Sequence, residues 1–332
     1  MSETLLRVED LRVGFTPREG VINVVRGVTL DVGVGETVGL VGESGSGKSL
    51  TCRSVIRLMP PQSVMTAKRL EFEGRDVMAL DNAGLRDLRA HHVGMIFQDP
   101  FSCFDPTKRV GDQLAETLRV NMGLGRDAAH DRALELLANV EIDRPDRRYR
   151  AYPHELSGGM RQRVMIAIAI SANPRLLIAD EPTTALDVTT QAQILALIEQ
   201  LRRDLGMAVL IVSHDFGVIA QACDRVIVMY GGYVVESGSV EDVCARPQHP
   251  YTRALLESIP SVDSAGQRVR RQGIPGQPPN PAQLGDGCPF VDRCAFARDE
   301  CRTTSMALLE TGPGRACACP FVISSLTLRS RP

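Results

Sequence analysis

Gly42-Glu-Ser-Gly-Ser-Gly47-Lys48-Ser49 is the stretch on which the fold of this chain turns. It follows Thr37-Val-Gly-Leu-Val41, a near-continuous apolar run of the kind that suits a strand covered on both faces. After it, Gly47 to about Leu58 reads as a helix stopped by Pro60-Pro61. Strand, glycine-rich turn and helix in that order make a phosphate-binding loop. Glycines let successive backbone N–H groups turn toward one anion, and the helix N-terminus adds its positive dipole end. Lys48 has the reach to meet β- and γ-phosphates, and the Ser49 hydroxyl can ligate Mg²⁺. Gly42, Ser44, Gly45, Ser46, Gly47, Lys48, Ser49 and Leu50 are therefore candidate nucleotide-binding residues. A glycine-rich turn in an ordinary α/β protein is the competing reading, and the strand–loop–helix context weighs against it.

A second half of the site is expected downstream. Arg175-Leu-Leu-Ile-Ala-Asp180-Glu181 reads as a buried strand ending in two acids. Successive strand residues point to opposite sides, so the pair can divide labour. Asp180 would hold the magnesium shell, and Glu181 would orient or deprotonate the attacking water. Two solvated carboxylates at a strand end would look the same in isolation.

Further out, Leu11–Phe15 and Val28–Val32 alternate as half-buried strands do, and strand patterns recur at Val93–Phe97, Leu176–Ala179, Val209–Val212 and Val226–Met229. From about residue 108 to 172 the period is helical, with Ala133, Leu136, Leu137 and Val140 on one face. A second helical stripe runs through Val188, Ala192, Leu195, Ile198, Leu201 and Leu205, with Asp187 as N-cap and Gly206 as stop. Strands alternating with helices predict a largely parallel sheet covered on both faces, with the helical block inserted between strands. After about residue 260, the segment Gly273 to Pro281 has linker composition, and a cysteine-bearing tail follows.

The chain has 332 residues, enough for about two domains. At 43% hydrophobic and 23% charged it is neither disordered nor fibrous. Its 38 basic and 40 acidic residues leave −2, which gives no electrostatic reason to expect tight nucleic-acid binding. The longest apolar run, Val164 to Ile170, falls far short of the roughly 20 residues a membrane span needs. Acidic residues near the N-terminus do not suit a secretory signal.

Leu156-Ser-Gly-Gly-Met160-Arg-Gln-Arg163 places another glycine pair at a helix start, which on its own is either an anion site or a helix cap. With the two nucleotide motifs it resembles the signature of ATP-binding-cassette (ABC) ATPases, although Met160 stands where that signature has Gln. The resemblance covers about residues 5 to 258. It implies an α/β fold: a RecA-like P-loop NTPase core with an antiparallel β subdomain, an inserted α-helical subdomain and a small cysteine-bearing C-terminal extension. In that family the signature of one subunit closes on the γ-phosphate held by another, so Ser157, Gly158 and Gly159 become candidate nucleotide contacts. Gln98 matches the loop glutamine that meets magnesium and the transmembrane partner. Thr184-Ala-Leu-Asp187 resembles the loop crossing the dimer interface, and His214 matches the switch histidine on the γ-phosphate. Phe15 sits where an aromatic stacks on adenine; an ordinary core phenylalanine is the alternative.

Phe97 to Pro106, Ala151 to Ser157, His249 to Leu256 and Ile274 to Pro279 look like the ATPase subunits of dipeptide, oligopeptide and nickel importers. The branch implies a peripheral ATPase on the cytoplasmic face of the inner membrane, paired with a paralogous ATPase, two permeases and an external solute-binding protein. Residues 1–258 would form the nucleotide-binding domain, its helical insertion spanning about 100–172, and 259–332 the extension. A soluble cassette ATPase acting on ribosomes or DNA is the alternative, with a lipid or drug exporter and a non-hydrolysing regulator behind it. Five of the nine cysteines lie in the tail, and Cys288, Cys294, Cys301 and Cys319 form a four-thiolate spacing without a CxxC pair. Disulfides are not expected in reducing cytosol. Spacing alone leaves iron–sulfur, zinc and plain buried thiols open. In the importer branch similar tails are associated with a [4Fe–4S] cluster, and nearby Arg293, Arg298, Arg302 and Arg315 would stabilise thiolates or be plain surface charge.

Overall fold

Every residue of Thr37–Val41 is buried, as its unbroken apolar composition requires. The computed structural model describes residues 3–16, 21–184, 186–259, 261–262, 268–269 and 273–321. Residues 260, 263–267, 270–272 and 322–332 of the expected extension lie outside them, as does Ala185. The chain divides into two units.

One unit takes in Thr4–Val32, Thr37–Met78 and the chain from Val212 onward. Within it Arg225–Tyr230 runs parallel to Thr37–Val41, with Ile227 opposite Leu40, and antiparallel to Tyr233–Ser239. The tail strand Arg315–Cys317 lies along Tyr233–Ser239, with Cys317 opposite Glu236, and Leu309–Gly312 pairs with it in turn. A separate antiparallel sheet is built on Thr4–Phe15, flanked by Ile22–Gly33, Ser63–Thr66 and Arg69–Phe72. Leu6 and Val8 are fully buried, and so are Leu11 and Val13, one residue out of phase. Asp10 lies between the pairs with φ 49°. One extra residue resets which face points inward.

The other unit holds Gly33–Glu36 and Ala79–Ile211. Val93–Ile96 runs parallel to Leu176–Asp180, with Ile96 opposite Ala179. Between these strands come the helices Val110–Met122, Arg126–Asn139, Pro145–Tyr149 and Gly158–Ala169, the expected insertion. Arg126–Asn139 buries Ala129, Ala133, Leu136 and Leu137, a stripe at helical spacing. Val188–Leu205 begins after Asp187 and stops at Gly206, as its sequence predicts. Its stripe is narrower than expected, because Val188 is 82% exposed and packing starts at Ile194. Among the described residues no helix is long and apolar enough to cross a membrane.

The helix after the phosphate loop, Lys48–Val55, ends before Leu58, where Arg57 turns to φ 50°. Ser63–Thr66, Arg69–Phe72 and Tyr233–Ser239 had no clear signature, since each mixes charged or small residues into a short strand.

Candidate functional site

The phosphate loop is shaped by what its glycines lack. A Cβ on Gly42 would lie 2.1 Å from the Met229 carbonyl oxygen, so only glycine lets the loop start this close to the neighbouring strand. Gly47, which caps Lys48–Val55, has φ 97°, a conformation that costs other residues. Lys48 is buried inside the loop, and its Nζ donates to the carbonyls of Gly42 at 2.7 Å and Glu43 at 2.9 Å. Ser46 is buried beside it, Ser44 and Gly45 are exposed, and Ser49 and Leu50 are half-buried in the first helical turn. A backbone arch with an ammonium at its centre suits a polyphosphate. Phe15, in the same unit, ends Thr4–Phe15 half-buried and opposite Ser63. His214 is exposed on the turn after Ala208–Ser213, where Asp215 caps the next helix through Gly217 N at 2.7 Å.

In the helical unit Asp180 is fully buried as the last residue of Leu176–Asp180. Glu181, next along, is buried with φ 50°, a strained backbone for a non-glycine residue. Its Oε2 accepts from Gln98 Nε2 at 3.0 Å and from Thr184 Oγ1 at 2.8 Å. Gln98 and Glu181 are thus brought together, from residues 83 apart. Ser157 caps Gly158–Ala169 by accepting from Met160 N at 3.3 Å. Asp187 caps Val188–Leu205 by accepting from Thr190 N at 3.0 Å, and that bond, with the Thr190 hydroxyl, holds its carboxyl below the usual range. Both helix starts border one cleft of about 390 Å³, lined in part by Ser157, Gly158, Gly159, Leu186 and Asp187. A Cβ on Gly159 would come 2.8 Å from the Thr190 methyl, so the glycine admits the second helix start.

Residues 25–184 match the model of the ABC transporter family, and 235–301 match the oligopeptide/dipeptide transporter C-terminal region. A probable peptide ABC transporter ATP-binding protein of Sinorhizobium fredii is 47% identical over 96% of this chain and 95% of its own. The oligopeptide transport ATP-binding protein OppD of Salmonella typhimurium is 43% identical over 96% of this chain and 94% of its own. Among solved structures, the dimeric post-hydrolysis state of an ATP-binding cassette with ADP and Pi aligns at TM-score 0.64 and 28% identity, covering 71% of this chain and 98% of that one.

The chain belongs to the ABC transporter ATPases. Its place among them is the dipeptide, oligopeptide and nickel importer branch, and its α/β P-loop fold is that of the solved cassettes. It is an ATP-hydrolysing subunit of an importer, whose membership brings dimerisation of ATPases and membrane permease partners. The ribosome- or DNA-directed alternative is not favoured by these relatives.

One expectation for this ATPase is corrected. Cys288, Cys294, Cys301 and Cys319 do approach one another, and Cys288 N donates to the Cys301 carbonyl at 2.8 Å. Yet among the described residues no group of three or more His, Cys, Asp or Glu is disposed to hold a metal ion, so the expected [4Fe–4S] cluster is not supported. Burial pushes the Cys288 thiol up to about 11, with the other sulfurs adding to it, and burial also raises Cys294 and Cys319. Three of the arginines are paired with acids, Arg293 with Glu43 at 2.6 Å, Arg302 with Asp292 at 2.9 Å and Arg315 with Glu236 at 3.1 Å, while Arg298 lies 4.4 Å over the Phe321 ring and only partly offsets the effect of burial on Cys319. The sequence shows no sign of Thr184 as a partner of Glu181, nor of Arg161 lying 3.9 Å over the ring of Phe101, which is 65% exposed.

Proposed function

We propose that this ATPase powers uptake of peptides, seated as a peripheral subunit on the cytoplasmic face of the inner membrane. The names of its relatives and the match at 235–301 support that solute class. A paralogous second ATPase, two permeases and an extracytoplasmic solute-binding protein complete the assembly. Residues 1–258 act as the nucleotide-binding domain, with the insertion at about 100–172, and 259–332 as its extension.

The observation that carries the catalytic reading is the Glu181 carboxylate, buried at a strand end and held by Gln98 and Thr184. Glu181 orients the attacking water or takes its proton. Gly42, Ser44, Gly45, Ser46, Gly47, Lys48, Ser49 and Leu50 hold the polyphosphate, Phe15 stacks on adenine, and His214 contacts the γ-phosphate. Ser49, Gln98 and Asp180 would hold Mg²⁺, an all-oxygen donor set that suits a hard cation. The ion would supply charge neutralisation on the phosphoryl oxygens. Ser157, Gly158, Gly159 and Asp187 serve the nucleotide carried by the partner subunit. Because the γ-phosphate is gripped from both subunits, ATP favours the closed pair and hydrolysis releases it.

Glu181→Gln in the purified transporter should keep Mg·ATP affinity while turnover falls by about 10²–10³-fold. Undiminished turnover overturns the role. Uptake of labelled di- and oligopeptides by vesicles carrying the whole assembly tests the solute; uptake of nickel chelates with none of peptides would remove the peptide assignment.

A further inference from the structure

Glu43, the second residue of the phosphate loop, is tied to a residue 250 positions away. Its carboxylate accepts from both terminal nitrogens of Arg293, Nη1 at 2.6 Å and Nη2 at 3.0 Å. That two-pronged geometry fixes direction as well as distance. Arg293 is itself anchored, for Nη1 donates to Tyr230 Oη at 2.9 Å, Nε to the Pro275 carbonyl at 2.7 Å and Nη2 to the Ile274 carbonyl at 3.2 Å. The Arg293 side chain is only 7% exposed, so the pair is poorly screened by water. Burial works against its charge, and the bonds to Glu43 and Tyr230 outweigh that and raise its pKa.

Glu43 is gripped through its backbone too. Its N–H donates to Tyr251 Oη at 2.8 Å, and its carbonyl accepts from Lys48 Nζ at 2.9 Å. Tyr230, Tyr251 and Phe290 pack with ring centroids 4.4 to 5.4 Å apart, a stiff base beneath both hydroxyls. A carboxylate in a loop that receives a polyphosphate is an electrostatic liability. Arg293 neutralises it and draws it to the tail side.

We propose that Arg293 is a positioning residue for the phosphate loop: through Glu43 it sets the loop backbone and Lys48 for the nucleotide, making Mg·ATP affinity dependent on the C-terminal extension. The inference rests on the ATPase reading above.

The test uses the full-length chain, with Mg·ATP binding followed by calorimetry. Arg293→Met should raise Kd about tenfold and Arg293→Lys, which keeps charge but loses the fork, about threefold. Adding Glu43→Gln to Arg293→Met should bring Kd back to within about threefold of wild type, because the stranded charge is gone. Amide exchange across Gly42 to Ser49 in the nucleotide-free chain should quicken in Arg293→Met. An Arg293→Met protein that binds Mg·ATP within about twofold of wild type overturns the proposal, whatever its melting temperature. If that variant does not fold, Arg293→Lys decides, with unchanged Kd and unchanged exchange overturning it. A wild-type chain that binds no Mg·ATP would instead defeat the ATPase reading, and is measured first.

Discussion

In the phosphate loop, eight consecutive residues make the site, so covalent connection alone brings its parts together. In the cysteine tail, four sulfurs must converge across 32 residues and then shed their protons, and nothing in the spacing enforces either step. The loop relies on main-chain groups that every sequence carries, with glycine permitting the path. The tail relies on side chains, and burial opposes the ionisation of Cys288, Cys294 and Cys319. The lesson is that a contiguous backbone motif transfers from sequence to structure more safely than a scattered side-chain set.

Substitutions in the two regions should differ accordingly. Gly42→Ala sets a methyl 2.1 Å from the Met229 carbonyl and forces the loop base to move. Mg·ATP affinity should fall about a hundredfold by calorimetry. An effect below about threefold would mean that the backbone path is not what defines the site.

Where the tail docks, protonation matters instead. His249 is fully buried, its Nδ1 accepts from Tyr251 N at 3.1 Å, its ring lies 6.3 Å from that of Phe290, and burial lowers its pKa to about 3. A histidine whose folded value is depressed stabilises fully above its unfolded value of about 6.5 and loses that contribution as pH falls toward 3. Between pH 6.5 and 5 the loss is about 2 kcal/mol. In urea melts the wild-type chain should lose that much more than His249→Gln, which keeps a cap acceptor; equal losses would show that the imidazole is hydrated.

The smallest change is expected at the cysteines. Cys288→Ser with Cys301→Ser should cost about 1 kcal/mol of stability each, with Mg·ATP affinity unmoved. Iron at one cluster per anaerobically purified chain, lost in that variant, would show that the scattered sulfurs do converge into a site.

The legible parts of the molecule were the local ones. Gly42 to Ser49, the Asp187 cap, the Gly206 stop and the apolar strands Thr37–Val41 and Leu176–Asp180 announce themselves through neighbours within a turn or a pleat. The outward-facing Val188 did not, because hydrophobic period cannot tell a packed turn from an exposed one. Nor did the Arg293–Glu43 pair, since no local pattern links residues 250 apart and arginines beside cysteines invite another explanation. Glu181 was legible as an acid at a strand end, while its partner Thr184 and its φ of 50° were not.

Arg315–Cys317 lies along Tyr233–Ser239. Without those three tail residues, that side of the strand would present bare amide and carbonyl groups, a template on which another polypeptide could stack. The tail is therefore a sealing strip as well as an appendage, occupying backbone groups that Tyr233–Ser239 would otherwise leave open.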